Sequence, residues 1–232
     1  MIGKLRAICL DVETMHLTPE EIKFEEQWLK PAANTKDPAK RAAQVAEKAL
    51  KLVEKDALTN SCSLGTIGFQ DVFQPYPAVL HAFPEKVEAP GIECFQCASQ
   101  KEMLENFTST MNLYCDENTE IVVADKYFDL PKIRLACVRH RVPIPEIFLP
   151  GAINPVFDVL QAGSRYFLIN NVVKSLSLRE LCARLGIKGS GKIISGADVP
   201  DMIDRGEYQD VIIYNASDVL QTAMAYRLMT NQ

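Results

Sequence analysis

A chain of 232 residues with 47% apolar content and 11 glycines has an ordinary globular composition, long enough to bury a real core as one large domain or two small ones. Basic and acidic residues nearly cancel, 25 against 30, so the formal charge of -5 excludes a global attraction to nucleic acid or to an anionic membrane and leaves only local patches. No apolar run reaches the ~18 residues of a membrane helix, and no signal peptide or anchor is visible in Met1 to Leu10, which argues against a membrane partner.

Leu5 to Leu10 is a continuous apolar run that meets Asp11 and Glu13, the pattern of a buried strand with polar chemistry at its C-terminal end. Residues 14 to 36 are mixed and read as irregular, with Pro19 and Pro31 as breakers. Asp37-Pro38 offers an N-cap followed by proline at the first helical position, and Ala42, Val45, Ala49, Leu52 and Val53 recur at helical spacing, so a helix should run to about Leu58. Residues 62–70 and 78–83 look like an antiparallel strand pair around the Pro75-Tyr76-Pro77 break. A helix is expected over 100–113, a short buried strand over 121–124, and a helix over 130–141 that opens near Pro131 and ends before Pro143. Beyond Pro150 the pattern reads as helical throughout: 157–161, 177–185 with Ser177 and Glu180 as a capping box, and 199–228 interrupted near Arg205-Gly206. No polar linker divides the chain, so residues 1–232 read as one mixed α/β domain with a helical insert over about 31–60.

Seven cysteines, an odd number scattered mostly through apolar segments, point to a reduced, intracellular and cytoplasmic protein. Cys94 and Cys97 have a metal-like spacing, but zinc usually takes a second pair or nearby histidines, and the chain has only three histidines.

The strongest chemical signal is Asp11-Val12-Glu13-Thr14. Alternate residues of a strand face one side, so the two carboxylates converge and repel each other unless a cation joins them. Asp129, between Phe128 and Leu130-Pro131, follows the second buried strand; it is either a third acid at the same place or a plain N-cap. Tyr214 and Asp218 are four residues apart on one helix face, either a surface pair or a further contribution to the cluster, with apolar Val219, Leu220 and Ala223 beside them. Four carboxylates and a tyrosine suit two-metal phosphodiester hydrolysis: magnesium takes oxygen ligands, one ion activates water and the other steadies the leaving oxygen. Tyrosine is too weak an acid for a general base, so it would orient the attacking water.

Asp11-x-Glu13, Phe128-Asp129-x-Pro131 and Tyr214-x-x-x-Asp218, in that order, resemble the three motifs of the DEDD (DnaQ-like) 3′-to-5′ exonucleases, in the tyrosine-containing subclass that includes the exonuclease domains of family B DNA polymerases. The stretch from Ser177 to Ile187, with Gly189 to Lys192, Gly196 to Val199 and Tyr214 to Thr222, is similar to the C-terminal half of stand-alone predicted exonucleases related to those domains. The resemblance implies an RNase H-like fold, a central mixed sheet whose first three strands are antiparallel, flanked by helices. It also implies release of 5′-mononucleotides from a 3′ end with two Mg2+ or Mn2+ ions. Asp11 would bridge both ions, Glu13 and Asp218 would complete the site of the water-activating one, Asp129 would hold the second, and Tyr214 would orient the water. Family members usually carry an asparagine four or five residues ahead of the second-motif aspartate, where this chain has Asp125 and Ala124.

For the nucleic-acid strand, the candidates are Thr14 beside the first motif, Asp125, the aromatic residues Tyr127 and Phe128, and Lys188 and Lys192. Phe69 is a weaker stacking candidate, since core packing suits it better. The two lysines belong to a basic stretch, 174–192, that also holds Lys174, Arg179 and Arg184 against the single acid Glu180. A solvated helix face is the alternative reading of that stretch. Gly186 to Lys192 is not a triphosphate loop, because Ile193 stands where Ser or Thr is needed and the segment follows a helix. Asp158 is read as a helix cap. Three functions remain open from the residues: an exonuclease on single-stranded DNA or 3′ ends, a 3′-to-5′ exoribonuclease, and a non-catalytic module binding nucleic acid or protein.

Overall fold

The computed structural model describes residues 5–26, 30–54, 63–149, 151–167, 176–188 and 194–232. Its centre is β1, Ala7–Thr14, buried along its whole length. Both edges of β1 are paired: antiparallel to β2, Leu64–Asp71, and parallel to β5, Glu120–Val123. β3, Ala78–His81, runs antiparallel to β2, and β4, Glu93–Gln96, parallel to β3. β6, Val156–Asp158, pairs parallel to β5, completing a six-stranded mixed sheet in the order β4-β3-β2-β1-β5-β6.

Strand alternation divides β1 between two helical layers. Ile8, Leu10 and Val12 join a core with Met103, Phe107 and Met111 of α3, Gln100–Tyr114, and with Ile133 and Ala136 of α4, Asp129–His140. Ala7 and Cys9 join the opposite core, built with Val159 of α5, Val159–Tyr166, Leu181 of α6, Leu178–Leu185, and Val219 and Ala223 of α8, Tyr208–Thr230. Asp11 and Glu13 continue that second face beyond the apolar residues, so the sheet aims both acids toward α8. The chain reaches α8 from α7, Val199–Asp204, through Gly206, whose φ of 75° is a conformation that glycine adopts without strain.

Two expectations need correction. Residues 14–36 are not irregular throughout: α1, Pro19–Glu26, forms because Thr18 and Glu21 make a reciprocal capping box. The Glu21 amide donates to Thr18 Oγ1 at 3.3 Å and the Thr18 amide to Glu21 Oε2 at 2.6 Å, with Pro19 at the tolerated first position. The region after Pro150 is not helical throughout either, since β6 occupies 156–158 as an edge strand. Its three residues are too short to show a period.

Elsewhere the expected elements form near their expected bounds. The insert helix α2, Pro38–Glu54, is capped by Asp37, which accepts from the Ala39 amide at 2.9 Å; the stretch expected to extend it to Leu58 lies outside the described residues. Cys94 and Cys97 are free thiols whose Sγ atoms face the carbonyls of Ile92 and Phe95. Among the described residues no helix is long and apolar enough to cross a membrane.

Candidate metal centre

β1 and α8 bring three acids together. One carboxylate oxygen from each of Asp11, Glu13 and Asp218 lies within 4.8 Å of the other two. Asp129 lies outside that cluster but close enough for its charge to act on both Asp11 and Glu13. It is buried at the first position of α4 and does not cap the helix; Phe128 is the N-cap residue and makes no side-chain cap bond. Instead Asp129 Oδ2 accepts from the Asp125 amide at 3.4 Å, and the Val12 amide also holds it, which turns the carboxylate back toward the end of β1.

The electrostatics are those of crowded acids short of donors. Burial, then the charges of Glu13, Asp129 and Asp218, pushes the Asp11 carboxyl well above the usual carboxylate range, against a hydrogen bond from Asn215. Glu13 rises through burial first and then Asp218 and Asp129. Asp129 rises through burial, with the charge of Asp125 adding and backbone amides opposing. Burial pushes Asp218 up to about 6, opposed by a hydrogen bond from Tyr214. The Tyr214 hydroxyl is itself held far above its ordinary value by burial and the neighbouring carboxylates, so it stays a proton donor. None of the ion pairs of the described residues reaches any of these four acids.

The repulsion in such a set is relieved by protons or by cations, and its chemistry selects among cations. All the donors are carboxylate oxygens, without thiolate or imidazole, which suits a hard divalent ion such as Mg2+ or Mn2+. The residues present therefore fit the metal expected from the motif order.

The candidates for strand binding fall less neatly. Thr14 is buried at a bulge where the β1–β2 register shifts, so its side chain is not presented to solvent. Asp125 is exposed, and its side chain accepts from the Tyr127 amide at 2.8 Å, shaping the turn into α4. Tyr127 is 72% exposed, with Lys126 Nζ 5.1 Å above its ring, so of the aromatic candidates it is the one open to stacking. Phe128 is half-buried with Lys132 Nζ 5.4 Å from its ring centre, and Phe69 packs edge-to-face on Phe107 inside the core. Lys188 is exposed, while Lys192 and Lys174 lie outside the described residues. Arg184 is engaged by Glu180 at 3.1 Å and by the Phe167 ring, which weakens the reading of 174–192 as one basic track. Asp158 caps α5 by accepting from the Gln161 amide at 2.7 Å.

Sequence reasoning passed over Asn215. It is fully buried, and its Nδ2 donates to Asp11 Oδ2 at 2.6 Å. The signal lay in the motif itself, as a carboxamide next to Tyr214 and three residues before Asp218, and in Gly68, the cross-strand partner of Asp11.

No protein-family model matches the chain, and no curated protein matches it.

Proposed function

We propose that this protein is a metal-dependent 3′-to-5′ exonuclease of the DnaQ-like type on an RNase H-like fold, hydrolysing single-stranded DNA from its 3′ end. The observation that carries the reading is the convergence of Asp11, Glu13 and Asp218 within 4.8 Å, in a buried place that supplies them with almost no donors. The sheet supports it too: it is mixed, and β1, β2 and β3 run antiparallel, as the motif resemblance implies.

Asp11, Glu13 and Asp218 would hold one Mg2+ or Mn2+ ion, and Asp11 with Asp129 a second. Bound there, the ions supply a water made acidic enough to attack and a charge to set against the departing 3′-oxygen. The residues do the rest. Tyr214 retains its proton, so it holds the attacking water by hydrogen bonding and leaves the proton transfer to others. The water oxygen bonds to phosphorus, the bond from phosphorus to the 3′-oxygen breaks, and a 5′-mononucleotide leaves a strand one residue shorter with a 3′-hydroxyl. Tyr127, exposed at the turn that leads into α4 and Asp129, is the aromatic side chain available to stack on a terminal base.

The test is digestion of a 5′-labelled oligonucleotide by the purified chain with Mg2+ and with Mn2+, DNA and RNA side by side. A one-nucleotide ladder from the 3′ end is expected on DNA. Faster loss of the RNA would move the substrate class, and a labelled strand that stays full length with both metals would leave only a binding role for the fold. Tyr214→Phe is expected to slow cleavage by about tenfold to a hundredfold while binding Mn2+ as the wild type does.

A further inference from the structure

We propose that Asn215 is a positioning residue for Asp11, and that Gly68 exists to admit it: the carboxamide, wedged between the helix and the strand beside Asp11, fixes the carboxylate that the metal site would share. This rests on the metal-centre reading above and deepens it.

The hydrogen bond joins groups 204 positions apart, from the face of α8 to β1, and neither is solvent-accessible enough for water to replace the contact. A carboxylate can only accept, so the amide nitrogen must face Asp11, and the amide oxygen is thereby forced away from it. That oxygen, Asn215 Oδ1, is buried without a hydrogen-bond partner among the described residues. A side chain chosen to fill space would have been apolar here, as Val211, Ile212 and Val219 are on the same helix. An orphaned oxygen is tolerated where the other end of the group does something the fold does not itself require.

Gly68 supplies the second, independent observation. It is the direct strand partner of Asp11 in β2. A Cβ at this position would collide with Asn215 Oδ1 and stand 2.9 Å from Val219 Cγ2. Only a residue without a side chain lets α8 settle at this depth. The same helix carries Tyr214 and Asp218, so one contact sets the height of these two against Asp11 and Glu13 on the strand. Partners of this kind orient metal-binding carboxylates, and their removal typically weakens metal binding rather than folding.

The experiment uses the full chain, with Mn2+ binding followed by the paramagnetic resonance signal of the free ion and melting measured separately in chelator. Asn215→Leu keeps the volume and removes the donor; its Mn2+ affinity is expected to fall by roughly ten- to a hundredfold, with melting in chelator no lower than that of the wild type. Gly68→Ala is expected to lose both affinity and thermal stability. Adding Asn215→Ala to Gly68→Ala relieves the collision, so part of the melting temperature should return while the affinity stays low. A space-filling role predicts recovery of both together, and that result would overturn the proposal, as would a folded Asn215→Leu protein with unchanged affinity. Should Asn215→Leu not fold, Asn215→Ala carries the same comparison. A wild-type chain that binds no Mn2+ overturns the metal-centre reading and this inference with it; wild-type binding that Asn215→Leu leaves intact overturns this inference alone.

Discussion

Two buried carboxylate sites in this molecule are handled in opposite ways. Glu21, on α1, is 3% exposed and surrounded by donors: Arg139 forms an ion pair with it, Ser63 Oγ donates to both its oxygens at 3.0 and 3.1 Å, and the Thr18 amide adds a third partner. Asp11, Glu13 and Asp129 are buried to a similar degree, yet among the described residues their partners are a carboxamide, backbone amides and, for Glu13, the Asp11 carboxyl, with no basic side chain. The fold can neutralise a buried carboxylate with its own basic side chain, and at the end of β1 none of the described residues does so. Positive charge is then expected from outside, and burial without a basic partner, more than the number of acids, marks the place.

The largest effect expected from breaking this contrast is at Asp11. On the proposed function, Asp11→Asn should reduce cleavage at least about a thousandfold, since several kcal/mol of charge stabilisation would depend on an ion held there. The same change should raise the melting temperature in chelator, because it removes one of four mutually repelling charges while Asn215 keeps an oxygen to donate to. Retained activity, or a protein made less stable in chelator, would mean that the acids are not short of cations. At Glu21 the sign reverses. Arg139→Ala should cost about 2–3 kcal/mol by chemical denaturation, less than a fully buried pair because the Arg139 side chain is 39% exposed. Mn2+ affinity should be untouched, since Glu21 is already neutralised from within the fold.

Asp218 sharpens the contrast through pH. Its folded pKa of about 6 lies above the ordinary 3.8, so it contributes stability below about pH 4 that is lost as the pH rises through 6. In chelator, Asp218→Asn should therefore be more stable than the wild type at pH 7.5, by on the order of 2 kcal/mol, and the difference should close as the pH falls through 6. With saturating Mn2+ the order should invert at pH 7.5, because only the wild type gains the binding energy. A difference that does not change between pH 4 and 8 would place Asp218 in ordinary solvent.

How much of this was readable beforehand follows from what each signal depends on. Asp11, Glu13, Asp129, Tyr214 and Asp218 were visible because strand alternation and helical spacing are local properties, and motif order is linear. Asn215 was hidden because its meaning depends on Gly68, 147 positions away by the numbering, lying across the strand from Asp11. β4 and β6 were missed because four and three residues at the sheet edges carry no clear period and borrow their conformation from β3 and β5. The first helix could have been found: Thr18-Pro-Glu-Glu21 carries a complete capping signal, which the proline obscured by reading as a breaker. The basic stretch misled for a different reason, since counting charges cannot show that Arg184 is spent on Glu180 and Phe167.

The smallest effect is expected at a second group of acids, and it separates burial from number. Asp198, Asp201, Asp204, Glu207 and Asp210 crowd the segment around α7, as many carboxylates as the candidate site offers and one more. Their surroundings differ. Asp201 and Asp204 are 64% and 67% exposed and both face His16, Arg205 pairs with Glu207 at 2.7 Å, and Asp198 accepts from the Ser195 amide at 3.1 Å. Water and nearby cationic groups already screen these charges, so Asp201→Asn should change stability by no more than ~0.5 kcal/mol and leave Mn2+ affinity and cleavage where they were. A tenfold loss of affinity in Asp201→Asn, matched against Asp11→Asn in the same titration, would show that the ion follows the density of acids along the chain. An unchanged value would show that it follows the buried acids that the described part of the fold leaves without a basic partner.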